Sequence, residues 1–307
     1  GMQRGFNVGR VCFGQCCQQP ERNPPTGLSA LSGCRGGVVL QYSGAENLDV
    51  MELAENYNRF LENAVICEMG ESRNIVDFGA GSAYLLRRIA ARSGRKIMAV
   101  EPADNWEKIY RENHIPRYYS LEEFADESLD FIYSLSVLEH IRDDRTVVKI
   151  MHQKLCEGGK VFIYVPALPF LYSAMDKKVG HYRRYTKAAL AELFDGEWQI
   201  EYLRYADILG AAASLGLKWF GAKDGNLNGT AVKIFDRVVY PFSLALDKIS
   251  AGRIIGKNLI LCAVKKSFSA ERKVLVNKVG ENRHKYNVNQ LGSCGVNFEK
   301  NIGKIQP

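Results

Sequence analysis

Asn74-Ile75-Val76-Asp77-Phe78-Gly79-Ala80-Gly81-Ser82-Ala83-Tyr84-Leu85-Leu86 is the stretch on which the reading of this chain turns. A short apolar run ends at an acidic residue, two glycines follow one residue apart, and apolar residues then recur at helical spacing. The pattern is that of a strand, a tight turn and a helix whose first backbone amides face a nucleotide-like ligand. A second apolar run, Lys96-Ile97-Met98-Ala99-Val100, closes on Glu101, twenty residues beyond Gly81. A carboxylate at that place can accept hydrogen bonds from both hydroxyls of a ribose.

Two ligand classes use such a turn, and they differ in what must pass close to the backbone. A dinucleotide lays its pyrophosphate on the helix N-terminus and usually has Gly or Ala at the last position of G-x-G-x-x-G. Here that position is Tyr84, which crowds the approach, and Asp77 repels a pyrophosphate. S-Adenosylmethionine carries an ammonium, a carboxylate and a sulfonium but no phosphate, so an acidic residue beside the turn suits it. Glu101 suits either ligand. The residues favour the methyl donor. A nicotinamide-dependent oxidoreductase is the alternative enzyme, and a non-catalytic S-adenosylmethionine-binding protein is a third reading.

The 307 residues suffice for one large α/β domain with additions or for two small ones. A hydrophobic fraction of 46% and a charged fraction of 24% are those of an ordinary globule. The net charge of +7 lies in the tails: residues 1–45 carry +3, residues 267–307 carry +4, and residues 46–266 sum to zero. A core without basic excess gives little steering of a polyanion, so no nucleic-acid partner is expected. Cysteines Cys12, Cys16, Cys17, Cys34 and Cys294 fall in the tails, and Cys67, Cys156 and Cys262 in the core. They form no paired C-x-x-C arrangement, so no metal site is expected. Three core thiols in apolar settings suit a reducing compartment. The start, Gly1-Met2-Gln3-Arg4, reads as a remnant followed by no apolar leader, and no apolar run is long enough to span a bilayer. The expectation is a cytoplasmic protein.

Residues 1–45, rich in Gly, Pro, Gln and Cys, read as an irregular N-terminal extension. A helical stripe of Val50, Leu53, Ala54, Tyr57, Phe60, Leu61, Ala64 and Val65 then leads into the first core strand. From there strand and helix alternate, the mark of a parallel sheet with crossover helices. Strands are expected at 73–78, 96–101, 117–119, 129–135 and 159–165, and helices at 82–93, 104–113 and 143–156. Asp143 and Asp144 suit a helix N-terminus. Glu157-Gly158-Gly159 is read as ending that helix, Pro166 as stopping the next strand, and Thr186 as opening a further helix. Trp198–Tyr202 and Asn258–Val264 read as two more strands, with a helical cover over 206–256 between them, and a polar, basic tail follows from 267.

These segments resemble the class I S-adenosylmethionine-dependent methyltransferases, with similarity from about Glu46 to Lys266. The resemblance is carried by Glu55-Asn56-Tyr57-Asn58, by the glycine turn with Glu101, by Ser136-Val137-Leu138-Glu139-His140-Ile141, and by Leu155-Cys156-Glu157-Gly158-Gly159. More specific are Val165-Pro166-Ala167, Leu171-Tyr172-Ser173-Ala174-Met175-Asp176 and Gly180-His181-Tyr182-Arg183-Arg184-Tyr185. Together they are similar to a bacterial branch often found fused to, or encoded beside, glycosyltransferases. The resemblance implies a Rossmann-like three-layer αβα sandwich. Its seven-stranded sheet would run in the order 3-2-1-4-5-7-6, the last strand antiparallel. It also implies that Asp77, Gly79 and Gly81, with Ala80, line the methionine moiety. Glu101, with Pro102, would hold the ribose, Ser120 and Leu121 would flank the adenine, Ser136 and Val137 would close the pocket beneath the sulfonium, and Tyr57 would reach in from the leading helix. Two positions depart from the pattern: Ala83 stands where a third glycine is usual, and Ser120 where an acidic residue is common.

Methyl transfer from a sulfonium has a good leaving group, so positioning supplies much of the rate. An oxygen acceptor of high pKa also needs a base, for which His140, Asp176 and His181 are candidates. Tyr182, Arg183, Arg184 and Tyr185 could grip an anionic or sugar acceptor, or could pair with acidic neighbours and pack. The acceptor is expected to be a small molecule or a glycan, including a lipid-linked sugar. Aromatic residues Trp219, Phe220, Tyr240 and Phe242 in the helical cover allow a weak peripheral membrane contact, although such residues more often build core.

Overall fold

The computed structural model describes residues 28–32, 38–42, 45–220 and 228–267, with side chains over 47–216 and 228–267. The chain divides into two units, Gly1–Lys265 and Lys266–Pro307. Apart from residues 266 and 267, the tail expected from 267 lies outside the described residues.

In chain order the elements are β1 (Leu28–Ser32), β2 (Val38–Tyr42), α1 (Ala45–Met51), α2 (Glu55–Met69), β3 (Ile75–Phe78), α3 (Tyr84–Ser93) and β4 (Ile97–Val100). There follow α4 (Glu107–Glu112), β5 (Arg117–Tyr118), β6 (Leu129–Leu135), α5 (Asp144–Lys154), β7 (Leu155–Pro166), α6 (Ala174–Val179) and α7 (Lys187–Leu193). The last are β8 (Trp198–Ala206), α8 (Ile208–Phe220), α9 (Gly229–Ile234), α10 (Tyr240–Ser250) and β9 (Asn258–Lys265).

Seven strands form one sheet in the order β5-β4-β3-β6-β7-β9-β8. Pairs from β5 to β7 are parallel, and β9 runs antiparallel to both β7 and β8. Counted from the first core strand this is 3-2-1-4-5-7-6, the order that the resemblance implied. Strand side chains alternate between two cores, as a pleated strand with both faces covered requires. Val76, Ile132, Val161, Ile163, Val165, Leu259 and Leu261 belong to one core, with Val148, Met151 and Leu190 from α5 and α7. Ile75, Ile97, Phe131, Tyr133, Phe162, Tyr164 and Ile260 belong to the other, with Leu61, Val65, Leu86 and Ile89 from α2 and α3. The result is helix, sheet and helix in three layers.

Local chemistry accounts for the boundaries. The Asp143 carboxylate accepts from Thr146 N at 3.1 Å and caps α5. Thr186 does the same for α7, accepting from Ala189 N at 3.1 Å. Pro166 ends β7 as expected. Two expectations need correction. Glu157-Gly158-Gly159 does not end a helix: α5 stops at Lys154 and β7 already begins at Leu155. The register jumps between Leu129↔Leu155 and Phe131↔Lys160, so these residues form an excursion inside the strand. Gly158 turns it with φ +75°. Within the stretch read as irregular, β1 and β2 pair antiparallel from Leu28↔Tyr42 to Ser32↔Val38. The remainder of 1–44 lies outside the described residues.

The helical cover at 206–256 contains α8, α9 and α10, with a π-helical turn at Phe235–Val239 joining the last two. Tyr240 packs edge-on to Tyr57 and Phe60 of α2, and Asp236 ties the cover to the start of that helix. Asp236, itself 2% exposed, accepts from Asn56 N and Tyr57 N, both at 2.9 Å, and so satisfies the free amides of the first turn of α2.

Candidate active site

Strand order reverses between β3 and β6, and open α/β sheets bind ligands at the carboxyl ends of the strands flanking such a point. A cavity of about 530 Å³ opens there, within the size range of small-molecule sites. Its walls include Tyr57, Asp77, Gly79, Ala80, Gly81, Glu101, Pro102, Ser120, Leu121, Ser136 and Val137, so every residue expected around a cofactor lines this one space. His140, His181 and Arg184 line it as well.

The glycine turn is shaped by backbone conformation. Gly79 has φ +81° and a Cβ there would stand 2.4 Å from Val137 Cγ2, so only glycine leaves the cleft open. Ala83 stands in the left-handed region at φ 55°, which accounts for the glycine usual at that place. Ser136, directly after β6, also has positive φ, at 58°, and its N–H donates to Tyr164 O at 2.7 Å. Tyr110, buried on α4, donates its hydroxyl to Gly81 O at 2.6 Å and holds the turn from outside.

Two carboxyls stand at the turn. Glu101 accepts from Gly81 N and Ala103 N, both at 2.8 Å, so its orientation is set before any ligand arrives. Burial raises its pKa, against those two amides. Burial pushes Asp77 up to about 8; the Tyr133 hydroxyl opposes the shift and Glu101 adds to it. Ser120 caps a turn of 3-10 helix over Leu121–Glu123, its hydroxyl accepting from Glu122 N at 3.1 Å. Tyr57 sits edge-on to Tyr164 and Tyr240, with ring centroids 6.1 and 5.7 Å away. Carboxyls, backbone amides and apolar side chains therefore line one wall of the cavity, a chemistry that fits S-adenosylmethionine.

At the other end of the cavity the loop after β6 meets the segment after α6. His181 Nδ1 lies 2.7 Å from Asp176 Oδ1, and its Nε2 lies 3.8 Å from Glu139 Oε1. The His140 and His181 rings meet edge to face at a centroid distance of 4.6 Å. Glu139 is 0% exposed, and neither of its carboxyl oxygens has a hydrogen-bond partner among the described residues. Burial raises Glu139 to about 7, with His181 opposing, and lowers His140 to about 3, with the His181 charge adding to the effect. Asp176 is pulled well below the usual carboxylate range: its hydrogen bond from His181 and the Arg184 charge overcome the opposing effect of burial, the largest single influence. Arg184 Nε donates to Asp176 Oδ1 at 2.9 Å.

The Tyr182–Tyr185 segment does not act as one gripping unit. Arg183 donates to Asp144 Oδ2 at 2.8 Å and to Arg142 O at 2.6 Å, and Tyr185 donates to the same Asp144 oxygen at 2.7 Å. Tyr182 stacks under the Arg142 guanidinium, 5.6 Å from its ring centre. None of these three lines the cavity; Arg184 alone does. Asp176 is also absent from the walls, but it is hydrogen-bonded to His181 and Arg184, which line them. Glu139, Lys257 and Asn258 line the cavity without having been expected there. Glu139 precedes His140 in a segment already singled out, so the signal was present. Lys257 arrives from the edge of β9 and had none.

The strand order, the antiparallel β9 and the glycine turn at the switch point are those of a class I methyltransferase. A family model described as a methyltransferase domain matches residues 45–203, more than half of the chain, and the chain belongs to that family, enzymes that use S-adenosylmethionine. Among solved structures, an S-adenosylmethionine-dependent methyltransferase from Thermotoga maritima is 16% identical, covering 72% of this chain and 95% of its own, with a TM-score of 0.46. One from Mesorhizobium loti is 16% identical over 67% of this chain and 96% of its own, at 0.45. One from Archaeoglobus fulgidus is 15% identical over 68% and 94%, at 0.44. No significant match is found among curated protein sequences. Among the described residues no helix is long and apolar enough to cross a membrane.

Proposed function

We propose that this enzyme methylates a small molecule or a glycan-type acceptor, including a lipid-linked sugar, in the half of the cavity walled by Glu139, His140, His181 and Arg184. The observation that supports this most is the continuity of one cavity from the glycine turn to that cluster. When bound, S-adenosylmethionine supplies an electrophilic methyl group and leaves as S-adenosylhomocysteine. Asp77 would hold the ligand's ammonium, Glu101 its ribose, and Ser120 and Leu121 would flank its adenine. Ser136 and Val137 close the wall between the two halves, and Tyr57 covers them. Arg184 is paired with Asp176, so Lys257, whose pKa is lowered by burial, is the cation that lines the acceptor half and can donate a hydrogen bond to an acceptor oxygen. Asp176 orients His181 through Nδ1, which leaves Nε2 turned toward the acceptor half.

Of the three thiols expected in apolar settings only Cys262 is buried, Cys67 being exposed and Cys156 half-buried; all three are unpaired, which supports a cytoplasmic setting. The test is a screen of phosphorylated, carboxylated and glycosylated acceptors for release of S-adenosylhomocysteine. A hit lost in His181→Ala with cofactor affinity retained supports the reading. Turnover unchanged in that variant removes His181 from the reaction.

A further inference from the structure

We propose that Glu139, His140 and His181 form a binding site for a borderline divalent cation, such as Mn²⁺, Fe²⁺ or Zn²⁺, in the acceptor half of the cavity. One ligand atom from each lies within 4.8 Å of the others. Two imidazoles and one carboxylate are the donor set of first-row divalent ions, and three protein ligands leave positions open for an acceptor oxygen. Two further observations point the same way. Glu139 is fully buried, lines the cavity and has both carboxyl oxygens without a hydrogen-bond partner among the described residues, an arrangement that is unfavourable unless a cation or proton is supplied. Asp176 Oδ1, 2.7 Å from His181 Nδ1, sets that ring so that Nε2 faces Glu139, which is the carboxylate-histidine support found behind metal-bound imidazoles. Arg184 balances the Asp176 charge, so the Glu139 charge remains for the ion.

On the methyltransferase reading, on which only the ion's role rests, an acceptor hydroxyl bound to the ion loses its proton to solvent more readily. The oxygen then forms its bond to the methyl carbon as the carbon–sulfur bond breaks, and sulfur keeps the electron pair.

Mn²⁺ is the probe of choice, because the thiols of Cys12, Cys16, Cys17 and Cys34 would compete for softer ions. Titration of the chelator-treated full chain, followed by the electron paramagnetic resonance of free Mn²⁺, is expected to show one bound ion. Asp176→Asn should weaken it about 10- to 100-fold, Glu139→Gln and His181→Ala should abolish it, and the exposed His114→Gln should leave it unchanged. Failure of the wild-type chain to bind Mn²⁺ overturns the proposal without reference to any variant, as does equal binding by Glu139→Gln. S-Adenosylhomocysteine binding measured on the same samples separates the two readings. Ligand binding without Mn²⁺ removes the ion alone, and Mn²⁺ without ligand removes the cofactor assignment.

A second inference rests on a different surface. From the outer face of α9, the π-helical turn and α10, Ile234, Val238, Phe242, Leu246 and Ile249 stand exposed, Phe242 by 67% and Ile249 by 83%. Four of these recur every fourth residue, and the wider π-helical turn keeps them on one side. Lys233, Arg237 and Lys248 are exposed beside them. The acids of this run point elsewhere: Asp236 holds α2, and Asp247 accepts from Asp207 N at 2.6 Å and Ile208 N at 3.1 Å. Within this run the exposed charges are cations, and apolar residues beside cations are the signature of a helix lying in an anionic membrane surface. We infer that this face docks there.

The full chain should float with vesicles of phosphatidylglycerol and phosphatidylcholine and much less with phosphatidylcholine alone. Phe242→Glu with Ile249→Glu should abolish flotation while leaving S-adenosylhomocysteine binding intact. Equal flotation of that variant would assign the binding to the basic tails and overturn the inference. A dimer of the wild-type chain that the variant loses, with no flotation, would overturn it in favour of a second copy.

Discussion

Gly79 and Val137 meet across the switch point of the sheet, where a Cβ on the first would stand 2.4 Å from Cγ2 of the second. Gly79 directly follows β3 and Val137 is the second residue after β6, so the gap between them sets the width of the cofactor half of the cavity. Gly79→Ala forces Val137 inward and places Ala at φ +81°. The expected cost is about 1–3 kcal/mol of stability, and S-adenosylhomocysteine affinity should fall at least about tenfold, or about 1.4 kcal/mol. Adding Val137→Ala should restore part of the affinity by calorimetry. No recovery would show that the contact is not what closes the site.

Asp77 gives the site a pH dependence whose sign can be stated. Its folded pKa is about 8, above the unfolded value of about 3.9. The folded ligand-free chain therefore holds a proton that the unfolded chain releases, and stability from this group falls as pH rises between those values. Asp77→Asn removes the effect. Its melting temperature should exceed that of the wild type at pH near 8 and match it near pH 4. If the carboxylate pairs with the ligand's ammonium, binding releases the proton, so affinity should rise from pH of about 6 to about 7.5. That slope should vanish in the variant.

Most of the fold was legible because its signals are local. The alternation of apolar runs with helical stripes marked the seven core strands, and Asp143 and Thr186 marked helix starts through side chains that cap their own third neighbours. The Glu157-Gly158-Gly159 excursion was misread because glycine pairs end helices and bend strands alike, and only the partner β6 decides between them. The cofactor half was legible for the same reason: Asp77, Gly79, Gly81 and Glu101 sit within two adjacent βα turns. The acceptor half was not. Arg183 and Arg184 are neighbours in sequence, yet Asp144 takes one and Asp176 the other, and Lys257 reaches the cavity from the far end of the chain.

Those two arginines should respond differently to removal. Arg183 is partly exposed where it meets Asp144, so Arg183→Ala should cost about 1 kcal/mol or less and leave S-adenosylhomocysteine affinity unchanged. Arg184 and Asp176 are both buried. Arg184→Ala leaves Asp176 without its guanidinium partner and should cost about 3–5 kcal/mol. Denaturant unfolding of the two variants checks the contrast, and equal losses would contradict it.

Asp236 should couple the helical cover to the cofactor. Asp236→Ala removes the acceptor for Asn56 N and Tyr57 N at the start of α2, a loss of about 1–2 kcal/mol by analogy with helix caps. Tyr57 then loses its anchor, so S-adenosylhomocysteine affinity should weaken as well. Thermal unfolding with and without ligand measures both effects, and a drop in stability with the ligand-induced shift unchanged would separate Tyr57 from the site.

Calorimetric titration of the wild-type chain with S-adenosylhomocysteine and, separately, with a nicotinamide dinucleotide tests the assignment of the cavity most directly. The expected result is saturable one-to-one binding of S-adenosylhomocysteine, lost in Gly79→Ala, with no heat from the dinucleotide. Binding of the dinucleotide with none of S-adenosylhomocysteine would contradict it.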